Sequence, residues 1–442
     1  MNAIKRYVRS QDGISEFREG ATGLQLTRKQ IEATLSSSKL FHLDENGSVP
    51  ISDDFDVCSF FKERRESLGL AIDDLANIAK ISAKSIEDIE NSGTRSPARL
   101  MVKVAQMLSI PDAMLVGASK RVDADLALRL KEKIGCHVDT LPSKDVAIIS
   151  EAAWVIRTEF ELKTLLGKSE GLVGRFAKKD NDYGEPAHPV WVKARLLASK
   201  TRQLIGLTND EPIKSVRSLL EETLGIPLIQ TSFNKKIAGV TISNDDHRGV
   251  LVNNNGDNGQ NIFVLRMTLA HELGHLLWDD EQHLNHFLID NYNEIELLND
   301  ESGYYVEARA NAFAAEFLAP QAAVLKIYKQ NNSVRQVMDY FGISFTCAKL
   351  QIWNALKRNI PIESLSVDNV LSTDAWDAAE NYSTDFLWDE SIRSSRKGVF
   401  AKLVVECEQR ELITSDSAAS YLDCTIEVYQ KQKNIIISLF ES

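Results

Sequence analysis

His271, Glu272 and His275 stand in the run Thr268-Leu269-Ala270-His271-Glu272-Leu273-Gly274-His275-Leu276-Leu277-Trp278. Two histidines four apart stack on one face of an α-helix and can aim two imidazoles at one cation. Glu272, beside the first, is placed to act as a base on a metal-activated water rather than to bind the metal. The chemistry this spacing offers is hydrolysis. Leu269, Leu273, Leu276 and Leu277 add an apolar stripe that would bury the helix in a core. The chain of 442 residues holds only eight histidines, so two at ligand spacing beside a glutamate argue against coincidence.

Two ligands do not make a stable zinc site, and three sources for a third can be weighed. An H-E-x-x-H-x-x-G-x-x-H extension would need Gly at 278 and His at 281, where Trp278 and Glu281 stand. His283 and His286 follow in a polar stretch that reads as a loop, and solvated loop histidines are the plainer reading. A carboxylate from a second helix remains. The segment from Val306 to Ala319, closed by Pro320, is a strong helix former, and Glu307 and Asn311 lie one turn apart on it. Glu307 could bind the metal while Asn311 hydrogen-bonds a ligand from behind. Glu316 is more than two turns further on and reads as a surface or cap-proximal carboxylate. Glu294, Glu296 and Glu301, in an acidic loop-like stretch, are weaker candidates. Ala308, Ala312 and Ala315 would let the second helix approach the first.

The run Arg266-Met267-Thr268-Leu269-Ala270-His271-Glu272-Leu273-Gly274-His275 is followed by Glu307-x-x-Ala310-Asn311-x-Phe313-Ala314-Ala315-Glu316-x-Leu318-x-Pro320. Together they resemble the ImmA/IrrE family of metallo-endopeptidases. Gly249-Val250-Leu251-Val252-Asn253 and the helical stretch Val337 to Ser344, leading to Leu350, also fit. Phe317 and Ala319 depart mildly, which touches packing rather than chemistry. The resemblance implies a zincin-like fold, His271, His275 and Glu307 as ligands, Glu272 as the base, and zinc as the metal. The ligand set also admits manganese. It further implies a protein substrate, namely a transcriptional repressor cleaved to control stress, mobile-element or defence genes. Arg266 matches a family position and is expected in a structural salt bridge. Tyr304, Tyr305 and Arg309 are near enough to serve the oxyanion, and none stands out.

Upstream, Ala238 to Ser243 and Gly249 to Asn253 alternate around a turn-rich stretch and read as a β-hairpin. By likeness to such proteases, this hairpin is expected to border the cleft and to bind extended substrate by backbone pairing.

A second informative region spans 56–117. Leu75, Ala76, Ile81, Ile86, Ile89, Leu100, Ala105 and Leu108 fall at core spacings for a helix-turn-helix bundle, with Ser82 capping its third helix. The region resembles the Cro/repressor-like (Xre) helix-turn-helix family. Lys84, Ser85, Arg95 and Arg99 are the candidate nucleic-acid contacts. Charge argues the other way: eight basic side chains stand against nine acidic ones, and Glu87 and Asp88 sit in the presumed recognition helix. DNA binding and protein docking therefore both stay open for it. The rival to the enzyme reading is a helix-turn-helix regulator or antitoxin-like DNA binder whose metal pocket is sensory or vestigial.

Length and composition agree with a multidomain protein. Charged residues make up 26% and hydrophobic ones 43%, the net charge is −12, and no run approaches membrane-spanning length. The five cysteines are dispersed, as in reduced intracellular proteins. Expected is a cytoplasmic, mainly α protein with a small β-sheet (α+β) and no membrane partner, its oligomeric state open. The divisions read from the sequence are an N-terminal extension (1–55), the helix-turn-helix (56–117), a helical connector (118–190), the peptidase-like domain (191–360) and a helical C-terminal region (361–442).

Overall fold

A computed structural model describes residues 6–8, 41–44, 47–50, 57–92, 96–111, 115, 141–168, 189–244, 247–278, 287–291, 305–367, 373–380 and 388–441. Arg95, His283, His286, Glu294, Glu296, Glu301 and Tyr304 lie outside them, as does the Tyr305 side chain. The chain divides into two compact units, one of residues 1–169 with 387–442 and the other of residues 170–386. The stretch 361–442, expected as one region, is thus shared between both.

The first unit opens with a small antiparallel sheet of β1 (Arg6–Val8), β2 (Phe41–Asp44) and β3 (Gly47–Pro50). Helices α1 (Val57–Ser67), α2 (Ile72–Ala79), α3 (Ala83–Ser92) and α4 (Ala98–Met107) follow. Helix α2 stops at Lys80, whose left-handed φ of 55° turns the chain toward α3. Ser82 then caps α3 by accepting the Ser85 amide at 3.1 Å. Leu75, Ala76, Ile86, Ile89, Ala105 and Leu108 are buried as expected, whereas Ile81 and Leu100 are only half-buried. Arg65 grips Glu90 with two hydrogen bonds of 2.6 and 2.9 Å and ties α1 to α3. Helix α5 (Ser143–Leu165), which starts after Pro142, is buried over most of its surface.

The second unit begins with α6 (Val190–Leu204) and a four-stranded sheet of β4 (Leu228–Thr231), β5 (Ile237–Asn244), β6 (His247–Asn253) and β7 (Phe287–Asn291). Helix α7 (Ile262–Trp278) lies between β6 and β7 in sequence, and α8 (Tyr305–Leu318) follows the sheet. The spatial order is β4-β6-β5-β7, with β4 and β6 parallel and the rest antiparallel. Gly239 pairs with Val252 and Thr241 with Val250, so these four share the sheet face against α7. Helices α9 (Gln321–Asn331), α10 (Val334–Phe341) and α11 (Phe345–Ala355) come next. Ser333 caps α10, Gly342 at φ 63° ends it, and Ser344 caps α11. Helix α12 (Asp374–Glu380) closes the unit.

Almost every residue of α7 is buried, which suits a helix apolar all round. Arg248 on β6 donates to the Leu276 carbonyl at 2.8 Å, and the Trp278 indole donates to Thr201 of α6 at 3.3 Å. Arg202, fully buried, donates to the carbonyls of Phe317, Thr208 and Glu211 and so pins α6 to the end of α8. Burial lowers its pKa to about 10. Arg266 on α7 is also fully buried. It donates to the carbonyls of Gly342 (2.8 Å) and Ile213 (2.6 Å), pairs with Glu380 of α12, and stacks under Trp376 at 4.4 Å. The expected salt bridge is present, with a partner 114 positions away.

The chain then returns to the first unit through α13 (Val399–Gln409), α14 (Ser415–Tyr421) and α15 (Ile426–Glu441). Glu151 of α5 receives Arg396 at 2.8 Å, Asp423 receives Arg393 at 2.7 Å, and Lys103 of α4 reaches Asp423 at 3.0 Å. No helix among the described residues is long and apolar enough to cross a membrane.

Candidate metal centre

Helix α7 places His271 and His275 on one face, as their spacing requires, with ring centroids 4.6 Å apart. Their Nε2 atoms are 2.9 Å apart. Glu307, near the start of α8, brings Oε2 to 3.2 Å from His271 Nε2 and 3.5 Å from His275 Nε2. Tetrahedral zinc with bonds of about 2.0–2.1 Å sets its ligand atoms about 3.3 Å apart. The three atoms match that spacing, so this donor set fits a divalent cation of zinc's size. It is the one such group of His, Cys, Asp and Glu among the described residues.

Both histidines and Glu272 are fully buried, while the Glu307 side chain keeps 15% exposure. Burial pushes the Glu307 carboxyl upward, but hydrogen bonding and charge from His271 and His275 outweigh it and hold the group well below the usual carboxylate range. Glu307 is therefore a carboxylate ready to bind a cation. Asn311, one turn along α8, has Oδ1 2.9 Å from His271 Nδ1. With the amide oxygen accepting from Nδ1–H, the ring is held in the tautomer that leaves Nε2 free to bind.

The two helices meet closely at Gly274. A Cβ there would lie 2.9 Å from Phe313 Cδ1 and 3.6 Å from Ala310 Cα. The absence of a side chain between Glu272 and His275 lets α8 come near enough for Glu307 to reach. Of the alanines expected to ease that approach, Ala312 and Ala315 pack against the core that holds α7, and with Ala308 they also line a cavity beside Val264 and Met267 of α7. Glu316 is partly buried, not a surface group. It accepts the Gln321 amide at 3.2 Å at the start of α9, as a cap-proximal carboxylate would.

Strand β5 supplies two further residues that the motif does not announce. Thr241 donates its hydroxyl to Glu272 Oε2, and a Cβ on Gly239 would fall 2.2 Å from Glu272 Oε1. Both sit on the same strand face, two positions apart. The strand is anchored there: Asn258 donates to the Ala238 carbonyl at 2.9 Å and accepts from the Thr268 hydroxyl, one turn before Glu272, at 3.0 Å. A register irregularity between Ile237 and Gly239 marks the same spot. The sequence signal was there, since an isolated glycine among alternating apolar residues marks a close backbone approach.

The expected hairpin is present, and β5 borders the centre through Thr241. Its backbone, however, is engaged by β6 on one side and β7 on the other, and β6 also pairs with β4. Over residues 239–242 of β5 and 250–252 of β6 both edges are paired, so the hairpin beside the centre is not open to a substrate strand there, which corrects that expectation. The outer strands of this sheet are β4 and β7.

Of the candidate nucleic-acid contacts, Lys84, Ser85 and Arg99 lie among the described residues. Lys84 is exposed, with Glu87 and Asp88 exposed on the same helix. Ser85 is engaged by Ser82 at 2.8 Å. Arg99 donates to the Cys424 carbonyl at 3.2 Å, joining α4 to the segment between α14 and α15.

Residues 221–352 match the family model of the IrrE N-terminal-like domain (Peptidase_M78), and the matched stretch contains His271, Glu272, His275, Glu307 and Asn311. This similarity covers less than a third of the chain and supports a metallopeptidase-like function for that stretch. No curated protein matches the chain.

Proposed function

We propose that the unit containing residues 221–352 is a zinc-dependent endopeptidase of restricted specificity, with His271, His275 and Glu307 as metal ligands and Glu272 as the base. The observation that carries this reading is the convergence of three ligand atoms at 2.9, 3.2 and 3.5 Å from two helices, with Glu307 lying 32 positions beyond His275 in sequence. A divalent cation held by His271, His275 and Glu307 would supply Lewis acidity toward the scissile carbonyl and the attacking water.

The chain's own residues do the rest. Glu272 takes the proton of the attacking water on its carboxylate and hands it to the leaving amine. Thr241, bonded to Oε2, fixes the rotamer, so that the base does not have to search for its position when substrate arrives. Asn311 holds the His271 ring. An extended peptide would add to a strand at the sheet's rim, and β7, beside β5, is the nearer choice to the centre. We take the substrate to be a transcriptional repressor, on the likeness to ImmA/IrrE peptidases. The helical first unit then serves as a protein-docking module. The exposed Glu87 and Asp88 on α3, and the engagement of Arg99 by Cys424, favour that role over reading DNA.

The test is Glu272→Gln. The variant should bind zinc with the wild-type stoichiometry, measured by elemental analysis, yet cleave neither unfolded casein nor candidate repressors. Cleavage at the wild-type rate would remove Glu272 from the mechanism, and a wild-type protein that binds no zinc would remove the reading altogether.

A further inference from the structure

A cavity of about 790 Å³ opens beside the centre, within the second unit. Its walls are close neighbours of the ligands. Asn311, which holds His271, lines it, as does Ala308 next to Glu307. Val264 and Met267, the two α7 residues not fully buried, line it as well. The volume lies in the range of about 300–1,000 Å³ typical of whole-ligand sites, more than one side chain fills.

The charges on this wall are unlike those of the chain. The protein carries a net −12. The cavity nevertheless gathers Arg195, Lys357 and Arg358 against a single carboxylate, Glu316. Burial pushes the Glu316 carboxyl up, which weakens it as a counter-charge. Among the described residues, Lys357 and Arg358 form no ion pair; Arg358 lies over the Trp353 ring at 4.7 Å and donates to Asn354 Oδ1 at 3.4 Å. Both have left-handed backbones, φ 55° and 58°, an uncommon conformation for side chains of this kind. Trp191, 45% exposed, adds an aromatic surface on the same wall. Aromatic and guanidinium groups around an apolar floor are the composition of a peptide-binding hot spot.

We infer that this cavity is a specificity site that receives an acidic, partly apolar segment of the peptide substrate, its carboxylates meeting Lys357, Arg358 and Arg195 and its apolar side chains resting on Met267, Val264 and Ala312. A peptide as the occupant rests on the peptidase reading, which brings a chain to Glu307 and His271. The acidic character rests on the wall alone.

The experiment measures binding apart from cleavage. Full-length Glu272→Gln protein is titrated into two fluorescein-labelled heptapeptides, one alternating Glu and Leu, the other Lys and Leu, and anisotropy is read. The acidic peptide should bind about tenfold or more tightly, against the sign of the protein's overall charge. Lys357→Glu/Arg358→Glu, at exposed positions that leave the core intact, should abolish or reverse that preference. Ala312→Leu, which fills the cavity, should weaken both peptides. Equal binding of the two peptides, or a preference unmoved by the charge reversal, overturns the site. If the preference holds while zinc-loaded wild-type protein cleaves nothing, the site stands and the peptidase reading falls. If cleavage occurs and no preference is seen, the reverse is true.

Discussion

Gly239 stands so close to Glu272 that the smallest possible side chain on it would fall 2.2 Å from the carboxylate Oε1. A strand residue 33 positions upstream thereby limits where that carboxylate can sit. The colliding atom is the far end of a flexible side chain, so the conflict is relieved by rotating Glu272 rather than by unfolding the sheet.

Gly239→Ala is therefore expected to leave the melting temperature and zinc content close to wild type while lowering kcat by about 10–100-fold, since a misplacement of about 1 Å can cost that much. Thr241→Val should lower kcat in the same sense with KM little changed, and Thr241→Ser, which restores the hydroxyl donor, should recover most of it. Steady-state kinetics with circular-dichroism melts separate the two effects. A Thr241→Ser enzyme as impaired as Thr241→Val would mean that the hydroxyl's bond to Glu272 is immaterial.

Asn311 touches His271 but not the space between the three ligand atoms. Asn311→Ala should reduce zinc affinity by about 10–100-fold, the usual cost of losing an outer hydrogen bond to a ligating histidine. Zinc at about a thousand times its dissociation constant should stabilise the wild-type protein by about 4 kcal/mol, and His275→Ala should lose that gain. Competition with a chromogenic chelator and thermal melts at graded zinc measure both. Equal stabilisation of wild type and His275→Ala would place the cation elsewhere.

The Arg266–Glu380 pair lies wholly inside the second unit, and burial draws the guanidinium's pKa below its usual value despite the carboxylate beside it. Glu380 also accepts the amides of Val216 at 2.8 Å and Arg217 at 2.9 Å. Glu380→Ala leaves a buried cation, one buried amide and one partly buried amide without their acceptor. A loss of about 3–5 kcal/mol is expected in urea denaturation. A loss below 1 kcal/mol would show that the backbone carbonyls around Arg266 suffice.

Glu316 offers a pH signature. Its folded-state pKa is raised by burial, more than the amide and Gln351 bonds lower it. A carboxyl of this kind binds its proton more tightly folded than unfolded. Its contribution to stability is thus fully present below the unfolded value of about 4.3 and is lost as pH rises through the raised folded value. Relative to Glu316→Gln, which stays neutral, wild-type protein should lose stability across that interval. Parallel denaturation curves from pH 4 to 8 check the sign, and a constant difference between the two proteins would contradict it.

The site's reactive residues were legible because they are local. His271, Glu272 and His275 share one helix, and Glu307 and Asn311 share another, so helical period alone puts each set on one face. What escaped was lateral. Thr241 and Gly239 act across a strand-to-helix contact, where nothing in their own neighbourhood says which helix they will meet. Arg266 was recognised as half of an ion pair, yet its partner comes from α12, beyond the recognisable motif. Ala308, Ala312 and Ala315 were read as a close-packing face because small residues permit close contact. They equally permit empty space, and these alanines also line a cavity, while Gly274 against Phe313 adds a close approach that their pattern did not announce. For α1 to α4 the helices and the Ser82 cap follow from local pattern, whereas the commitment of Arg99 to Cys424 depends on chain 325 positions further on.

That last distance bears on how the protein comes into being. A ribosome delivers α1 to α5 first, but Arg396 and Cys424, which answer Glu151 and Arg99, emerge only after all of residues 170–386. The peptidase-like unit is continuous and can mature while its host still lacks a wall. During that interval α5 lacks Phe400 against Trp154 and Arg396 against Glu151. A fragment that stops short of residue 388 would hold the helical unit permanently in that unfinished state, so the chain's final stretch works as the closing stave of a structure begun some three hundred residues earlier.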